Sequence, residues 1–337
     1  MYILERKIVS QLLLLICAFT AVAAEGSAIT LPELRQIATD SRESVTTAHL
    51  VYIDELNDNR PIDGNENSIE YKLEKISNHR LMEVDAILDC KAQKAKSSLT
   101  ELRDVDALLE EYNLPARQKM NVSWTKTVIH QDIYEMEFAD SSILNEGHAM
   151  MLLSESLGSP NSLFKMRSLG VISDKLLSED YEPTLSDINS NGQSLLRVEL
   201  TRERQNATKT TIKIDCDPLL QYRFRRIEWR SDGHLNREII ADDYREVSDV
   251  NGVVPYPFLY IERSFYKDGQ IRRDRKYIIK EVQLGVDLGA NDFKMFVPAG
   301  TQLTDAVVSM TIHKIEQSGY MDIDDALDVV KSSLLKQ

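Results

Sequence analysis

Residues 209–284 read KTTIKIDCDPLLQYRFRRIEWRSDGHLNREIIADDYREVSDVNGVVPYPFLYIERSFYKDGQIRRDRKYIIKEVQL, and this stretch decides the fold. Runs rich in Val, Ile, Tyr, Phe and Thr are separated by Asp232-Gly233, Asn251-Gly252 and Asp268-Gly269, and Asn191-Gly192 marks the same kind of turn upstream. Both central residues of a type I′ turn need positive φ, which Asn, Asp and Gly tolerate. Because the runs follow one another without helices between them, we predict an antiparallel meander.

The rest of the chain predicts a mixture of helices and strands around this meander. A helix begins after Thr30, which can cap it together with Glu33, and a last helix spans 322–335 with Asp322 as its cap. Between the first helix and the meander, the pattern predicts strands at 69–76 and 81–88, a helix over 99–112, strands at 122–130 and 133–138, and a helical or irregular apolar stretch over 143–177. The meander itself supplies six strands, at 194–202, 209–216, 222–230, 235–247, 254–266 and 271–284.

The charge balance limits the classes of function. The chain has 40 Lys and Arg against 54 Asp and Glu, a net charge of −14, and 42% of its residues are hydrophobic. This composition fits a folded protein and argues against broad nucleic-acid binding. The charge is uneven, because 18 of the basic residues and only 14 of the acidic ones lie between Arg197 and Lys280.

The first residues have the form of a secretory signal peptide. Arg6 and Lys7 precede an apolar run at 12–19, and small residues at 21–24 lead to Glu25. The run is shorter than the roughly 20 residues that span a bilayer. We therefore predict a signal peptide over 1–24 and one exported domain over 25–337, periplasmic or extracellular, without an integral membrane segment. The alternative is an N-terminal membrane anchor.

The motifs of the common enzyme classes are missing from the sequence. There is no H-x-x-x-H, no G-x-S-x-G and no G-x-x-x-x-G-K, so we predict no catalytic residue, no metal site and no cofactor. Removal of Cys17 with the signal peptide leaves Cys90 and Cys216. They form either a disulfide, which an exported compartment permits, or two buried free thiols.

Two groups of residues are candidate binding sites. Met, Leu and Phe side chains between 150 and 169 could form an apolar lid or cavity, because methionine adapts to varied apolar ligands; the alternative is ordinary core. These candidates are Met150, Met151, Leu153, Phe164, Met166 and Leu169. Arg223, Arg225 and Arg226 could form a basic patch, and the alternative is the solvated face of a sheet.

A series of short motifs resembles one known superfamily. The series begins with SVTTAHL at 44–50 and MRSLGV at 166–171, and it closes with FKMFVPAGT at 293–301. Between them lie IEW at 227–229, DDYREV at 242–247, NGVVPYP at 251–257 and IER at 261–263. In this order, over about 31–304, the motifs resemble a divergent member of the LolA/LolB-type outer-membrane lipoprotein-sorting superfamily.

The resemblance implies an α+β fold in which a strongly curved antiparallel sheet, an unclosed β-barrel, has helices packed on its concave face. It also implies a non-catalytic carrier that holds a lipoprotein acyl chain in an apolar cavity. We therefore expect an exported binding protein with a lipid or lipidated partner. The alternative is an envelope scaffold or sensor that binds another protein and carries no lipid.

Overall fold

A computed structural model describes most of the chain. The described residues are 29–118, 126–131, 134–139, 149–154, 166, 168–173, 181–203, 209–250, 252–305 and 312–334. The predicted signal peptide and the candidate residue Phe164 lie outside them. Within the described residues, no helix is both long enough and apolar enough to cross a membrane.

The described residues of the first half of the chain form three α-helices and six strands. The helices are α1 (Leu31–Glu43), α2 (Ile69–Ser77) and α3 (Val105–Glu111). The strands are β1 (Thr47–Asp58), β2 (His79–Asp89), β3 (Lys94–Glu101), β4 (Lys126–Gln131), β5 (Tyr134–Ala139) and β6 (Ala149–Ser154).

The second half is dominated by long strands. These are β7 (Glu182–Ser190), β8 (Gln193–Glu203), β9 (Lys209–Asp217), β10 (Arg223–Ser231), β11 (His234–Asp249), β12 (Gly252–Phe265) and β13 (Ile271–Leu284). Four short strands and a helix follow, namely β14 (Met295–Val297), β15 (Gln302–Asp305), β16 (Ile312–Lys314), β17 (Gly319–Met321) and α4 (Ile323–Leu334).

Fifteen strands form one sheet in the order β16-β15-β6-β5-β4-β3-β2-β1-β13-β12-β11-β10-β9-β8-β7. Every neighbouring pair is antiparallel except β15 and β6. The sheet joins two meanders, β1–β6 and β7–β13, because β1 pairs with both β2 and β13. The predicted antiparallel meander is therefore confirmed, and the curved sheet is unclosed, with β7 and β16 at its two ends.

The hairpin dipeptides act largely as expected. Asn191-Gly192 and Asp232-Gly233 have positive φ at both residues, as a type I′ turn requires. At Asp268-Gly269 only the glycine has positive φ, which fits a longer loop of five residues between Phe265 and Ile271. All six predicted strands of the meander are present within one or two residues of their expected ends.

Two predictions between residues 69 and 112 were wrong. Residues 69–77 form α2, which Ser68 caps by accepting a hydrogen bond from the Tyr71 amide, rather than a strand. Residues 94–101 form β3, so the second helix begins only at Val105, where Asp104 is the cap. The stretch 143–177, which was predicted to be helical or irregular, contains the strand β6.

The two faces of the sheet carry different cores. We call the face against which α1 packs the inner face; Leu34 and Ala38 of α1 meet Val198, Ile212 and Ile214 there. Helix α4 packs instead on the outer face, at the far end of the sheet. Its residues Ile323, Ala326 and Val330 join Ile129 and Met136, and Ile129 alternates along β4 with the inner-facing Val128 and His130. Helix α4 is thus an exception to the expected packing of helices on the concave face.

Candidate functional site

A short irregular segment crosses the inner face of the sheet. We call residues 166 and 168–173 the strap. Met166 and Leu169 belong to one apolar cluster with Leu50, Val84 and Tyr256, and Ile172 belongs to the cluster beneath α1. The strap therefore connects the two apolar clusters of the inner face.

Three hydrogen bonds fasten the strap, and each one ends on a backbone carbonyl of the strap. The Tyr256 hydroxyl donates to the Met166 carbonyl. The Arg223 Nη1 donates to the Leu169 carbonyl at 3.2 Å, and the Phe224 amide donates to the Gly170 carbonyl at 2.9 Å. The sheet therefore recognises the path of the strap backbone more than the identity of its side chains.

Because residue 170 is a glycine, the backbone of the strap can lie close to the sheet. Its φ is +79°, and a Cβ placed there would overlap the Tyr244 hydroxyl and lie 3.1 Å from the Tyr244 Cζ. The Tyr244 hydroxyl is itself fixed, because it donates to the Phe224 carbonyl at 2.6 Å. Only glycine satisfies both the backbone angle and the space at this position.

The six predicted lid residues have different outcomes. Met166 and Leu169 are buried core residues of the strap. The backbones of Met150, Met151 and Leu153 lie in β6, where Met150 pairs with Phe138 of β5 and with Leu303 of β15. Whether these residues bind an apolar ligand stays a prediction.

Aromatic rings form the floor beneath the strap. Tyr52, Tyr277, Tyr260 and Phe224 follow one another across the inner face, with ring centroids 5.8, 5.8 and 6.4 Å apart. Burial raises the pKa of Tyr52, Tyr256 and Tyr260 far above its usual value. These phenols stay protonated and neutral, so they serve as apolar surface and as hydrogen-bond donors.

Arg223 lies in this inner layer rather than on the surface. Its side chain is 3% exposed, and its Nε is buried without a hydrogen-bond partner among the described residues. Burial lowers the pKa of the guanidinium, and the described groups that act against this effect are the phenols of Tyr244 and Tyr256. Arg223 is thus a buried cation for which the described residues supply no carboxylate.

The three arginines of the predicted basic patch lie in different surroundings. Arg225 lies at a bulge of β10 and contacts Asp217 and Asp242 at 3.1 and 3.3 Å. Arg226 lies on the outer face and contacts Glu228 and Glu238. Both arginines are neutralised by neighbouring carboxylates, and the interpretation as the solvated face of a sheet describes Arg226 better.

The outer face around Arg226 carries charges that alternate in sign. In order across β8 to β13, they are Arg197, Asp215, Arg226, Glu238, Arg263 and Asp274. Arg197 and Asp215 lie 2.6 Å apart. A polar groove of about 570 Å³ lies over this ladder. Such partly exposed pairs stabilise each strand contact by at most about 1 kcal/mol.

The two cysteines are buried and form no disulfide with each other. Cys90 belongs to the cluster that contains Leu50 and Cys216 to the cluster beneath α1. Burial raises the pKa of the Cys216 thiol well above its usual value. The structure thus has the second of the two alternatives, and Cys216 is a core residue of low reactivity.

Two turns at one end of the strands have apolar side chains that are exposed to solvent. Leu219 in the β9–β10 turn is 88% exposed, and Val250 and Val253 at the β11–β12 turn are 69% and 51% exposed. We call these three residues the apolar rim. The first turn is rigid, because the buried Asp217 carboxylate accepts hydrogen bonds from the Leu219 amide, Gln193 and Arg225.

Sequence reasoning missed Arg223 as a buried group, and it missed the rim. Arg223 could not be recognised because its partner, the Leu169 carbonyl, is 54 residues away in the chain. The first turn of the rim could have been recognised in the sequence from Asp217-Pro218, since Asp followed by Pro commonly begins a capped turn. Among the described residues, no group of three His, Cys, Asp or Glu side chains could hold a metal ion.

No protein-family model matches the sequence, and no curated protein matches it. Solved structures do match the path of the backbone. One is described as a putative outer membrane lipoprotein-sorting protein domain from Vibrio parahaemolyticus, with 12% identity, a TM-score of 0.40, and 78% of this chain and 97% of that chain covered. A DUF1329 family protein from Desulfovibrio piger has 10% identity and a TM-score of 0.38, with 78% and 96% covered.

A further match is the MucA/MucB complex of Pseudomonas aeruginosa, with 7% identity, a TM-score of 0.29, and 83% of this chain and 74% of that chain covered. At these identities the likeness concerns fold alone. The unclosed and almost wholly antiparallel sheet, with α1 packed on its inner face, is the architecture that the resemblance to the LolA/LolB-type superfamily implied.

Proposed function

We propose that this chain is an exported, non-catalytic binding protein whose ligand is another protein. The proposal rests mainly on one observation, namely that side chains of the strap and of α1 fill the inner face of the sheet. Met166, Leu169 and Ile172 of the strap and Leu34 of α1 occupy the space where a cargo would lie. The void between α1 and the strap has a volume of about 10 Å³, whereas small-molecule sites usually measure about 300 Å³ or more.

The apolar rim is the surface that we assign to the partner. Apolar side chains that are already exposed on rigid turns lose little conformational entropy when they bind a partner, and their burial is favourable. Leu219 meets this description, because its turn is fixed by four hydrogen bonds to the carboxylate of Asp217. Val250 is 69% exposed in the next turn along the same end of the sheet.

A photoreactive amino acid introduced at position 219 should capture the partner in cells. We expect one discrete adduct at position 219 and the same adduct at position 250, because both turns lie at the same end of the strands, where one partner protein can contact both. Mass spectrometry of the adduct identifies the protein.

Position 271 is the matched control. Ile271 is also exposed, at 39%, but it lies at the opposite end of the strands. An identical adduct at position 271, or no protein adduct at positions 219 and 250, would contradict the assignment of the rim.

A second candidate function, the carrying of an acyl chain, is favoured by the way in which the strap is held. Three hydrogen bonds of about 1 kcal/mol each and three buried side chains of about 2 kcal/mol each hold it down. An acyl chain gains about 0.8 kcal/mol per buried CH₂. A chain of roughly 12 or more methylenes could therefore replace the strap on the inner face.

Weakening the strap should then increase lipid uptake. Tyr256→Phe removes one hydrogen bond to the Met166 carbonyl and should raise the affinity for a synthetic acylated peptide by about fivefold. The measurement is a fluorescence titration, with Tyr320→Phe, an exposed tyrosine away from the strap, as the control. No uptake by either the native chain or the Tyr256→Phe variant would leave protein binding as the remaining function.

A further inference from the structure

The void between α1, the strap and the start of β10 contains a charged group with an unfilled hydrogen bond. It is lined by Leu34 and Ala38 of α1, Val171 and Ile172 of the strap, and Arg223. The Nε of Arg223 is buried and has no hydrogen-bond partner among the described residues, and the side chain as a whole is 3% exposed. The guanidinium donates through Nη1 to the Leu169 carbonyl at 3.2 Å.

An arginine in such a place needs a counter-charge. The guanidinium remains protonated at every physiological pH, and a buried charge without a partner of opposite sign is strongly destabilising. The Leu169 carbonyl and the Tyr244 and Tyr256 phenols offer dipoles only, since burial keeps both phenols neutral. Among the described residues, no carboxylate contributes to the field at Arg223.

The void has the size and the entrance for a small solute. Its volume of about 10 Å³ is close to the space that one water-sized particle needs. Ser41, Gln221 and Tyr222 add polar atoms to the lining, and Gln221 is exposed to solvent. The 10 Å³ counts only the positions open to the centre of a water-sized sphere, and the space around them is larger. A halide ion, which is slightly larger than water, is the candidate that supplies the single negative charge that Arg223 lacks.

We propose that this void is a binding site for one small monovalent anion, chloride under ordinary conditions, held against the Nε of Arg223. The anion would neutralise the buried guanidinium and complete its hydrogen bonds. Because α1, the strap and Arg223 at the start of β10 all line the void, binding would also stabilise the contact between the strap and the sheet. The site is independent of the ligand proposed above, since it needs neither the apolar rim nor an acyl chain.

The first test is the melting temperature of the full-length mature protein in sodium chloride, sodium bromide and sodium gluconate at equal ionic strength. Gluconate is too large for the void. At a halide concentration of about ten times Kd, we expect a melting temperature about 3 °C higher in chloride or bromide than in gluconate. Equal melting temperatures in the three salts would overturn the proposal.

Two variants separate site binding from general effects of salt. Arg223→Met keeps the length of the side chain without the charge, and it should abolish the difference between halide and gluconate. Arg226→Met removes an outer-face arginine that is paired with Glu228 and Glu238, and it should keep the difference. A halide effect of equal size in both variants would mean that the salts act elsewhere.

A diffraction experiment on the unmodified chain guards against the case in which Arg223→Met fails to fold. Crystals grown in bromide should show an anomalous peak within hydrogen-bond distance of the Arg223 Nε. Absence of the peak, or a side-chain carboxylate in its place, would overturn the proposal.

Discussion

Replacement of Gly170 by alanine is expected to lower the free energy of unfolding by about 4 kcal/mol. Two costs add at this position. An alanine at φ +79° is in the left-handed region, which costs roughly 1–2 kcal/mol. The new Cβ also overlaps the Tyr244 hydroxyl and crowds its Cζ at 3.1 Å, and such overpacking costs about 1–3 kcal/mol.

Gly233→Ala is a matched control for the first of these costs. Gly233 has almost the same backbone angle, φ +84°, but a Cβ added there would meet no atom within 4 Å, because the residue occupies an exposed hairpin turn. This variant should lose only the roughly 1–2 kcal/mol that belongs to the left-handed backbone. Denaturant unfolding of both variants measures the difference, which is the steric cost at the strap.

A double variant tests whether Tyr244 is the source of that steric cost. Tyr244→Phe removes the hydroxyl that the alanine would meet, although it also loses the hydrogen bond to the Phe224 carbonyl. The destabilisation of Gly170→Ala/Tyr244→Phe should therefore be smaller than the sum of the two single effects by about 1 kcal/mol or more. Strict additivity, or equal losses for Gly170→Ala and Gly233→Ala, would mean that the strap does not press on Tyr244.

Gly170→Ala also distinguishes between the two proposed functions, acyl-chain carrying and protein binding. If the chain carries an acyl group, the loosened strap of Gly170→Ala should bind an acylated peptide more tightly than the native chain does. If the ligand is a protein at the apolar rim, capture at position 219 should be unchanged, because Leu219 is held by Asp217 and not by the strap.

The meander was predictable because local chemistry determines it. In residues 209–284, strand-forming runs alternate with Asp-Gly and Asn-Gly turns, and each hairpin is formed by neighbours in sequence. The cap of α1 was predictable for the same reason, since Thr30 and Glu33 form a complete capping box. Helix α2 was predicted as a strand because Ile69, Tyr71 and Leu73 fit the two-residue period of a strand, although Ile69, Leu73 and Ile76 also fit one face of a helix that Ser68 caps.

The strap and its surroundings were not predictable, because they depend on contacts between distant residues. Met166 and Leu169 appeared as a candidate lid, but their burial follows from Tyr256 and Arg223, which lie 90 and 54 residues further along the chain. The position of α4 on the outer face likewise depends on where the strand pairing brings Ile129 and Met136. Neither periodicity nor turn chemistry contains this information.

The second large effect is expected at the end of β1. The Asp58 side chain is 1% exposed and accepts hydrogen bonds from Arg60 Nε at 2.9 Å and from Arg273 Nε at 2.8 Å. Arg273 belongs to β13, so this carboxylate links the two meanders at their seam. Asp58→Asn removes the charge from both contacts and should lower the free energy of unfolding by about 3 kcal/mol at neutral pH.

Asp243→Asn provides the comparison with an exposed ion pair. Asp243 contacts Arg245, and both side chains are more than half exposed. This variant should change the free energy of unfolding by no more than about 1 kcal/mol. A loss at Asp58→Asn as small as the loss at Asp243→Asn would show that the seam does not depend on the buried carboxylate.

The direction in which the stabilisation by Asp58 changes with pH follows from the shift of its pKa. Burial by itself raises the pKa of Asp58, but the hydrogen bonds from Arg60 and Arg273 outweigh it, and the pKa is lowered overall. The folded chain therefore binds this proton less readily than the unfolded chain, whose aspartate pKa is about 3.9. The stabilisation is complete above that value and disappears as the pH falls through the lowered pKa of the folded state.

The difference in unfolding free energy between the native chain and Asp58→Asn should accordingly be constant near neutrality and shrink below about pH 4. A difference that persisted unchanged into acid would assign the loss to packing of the amide rather than to the charge.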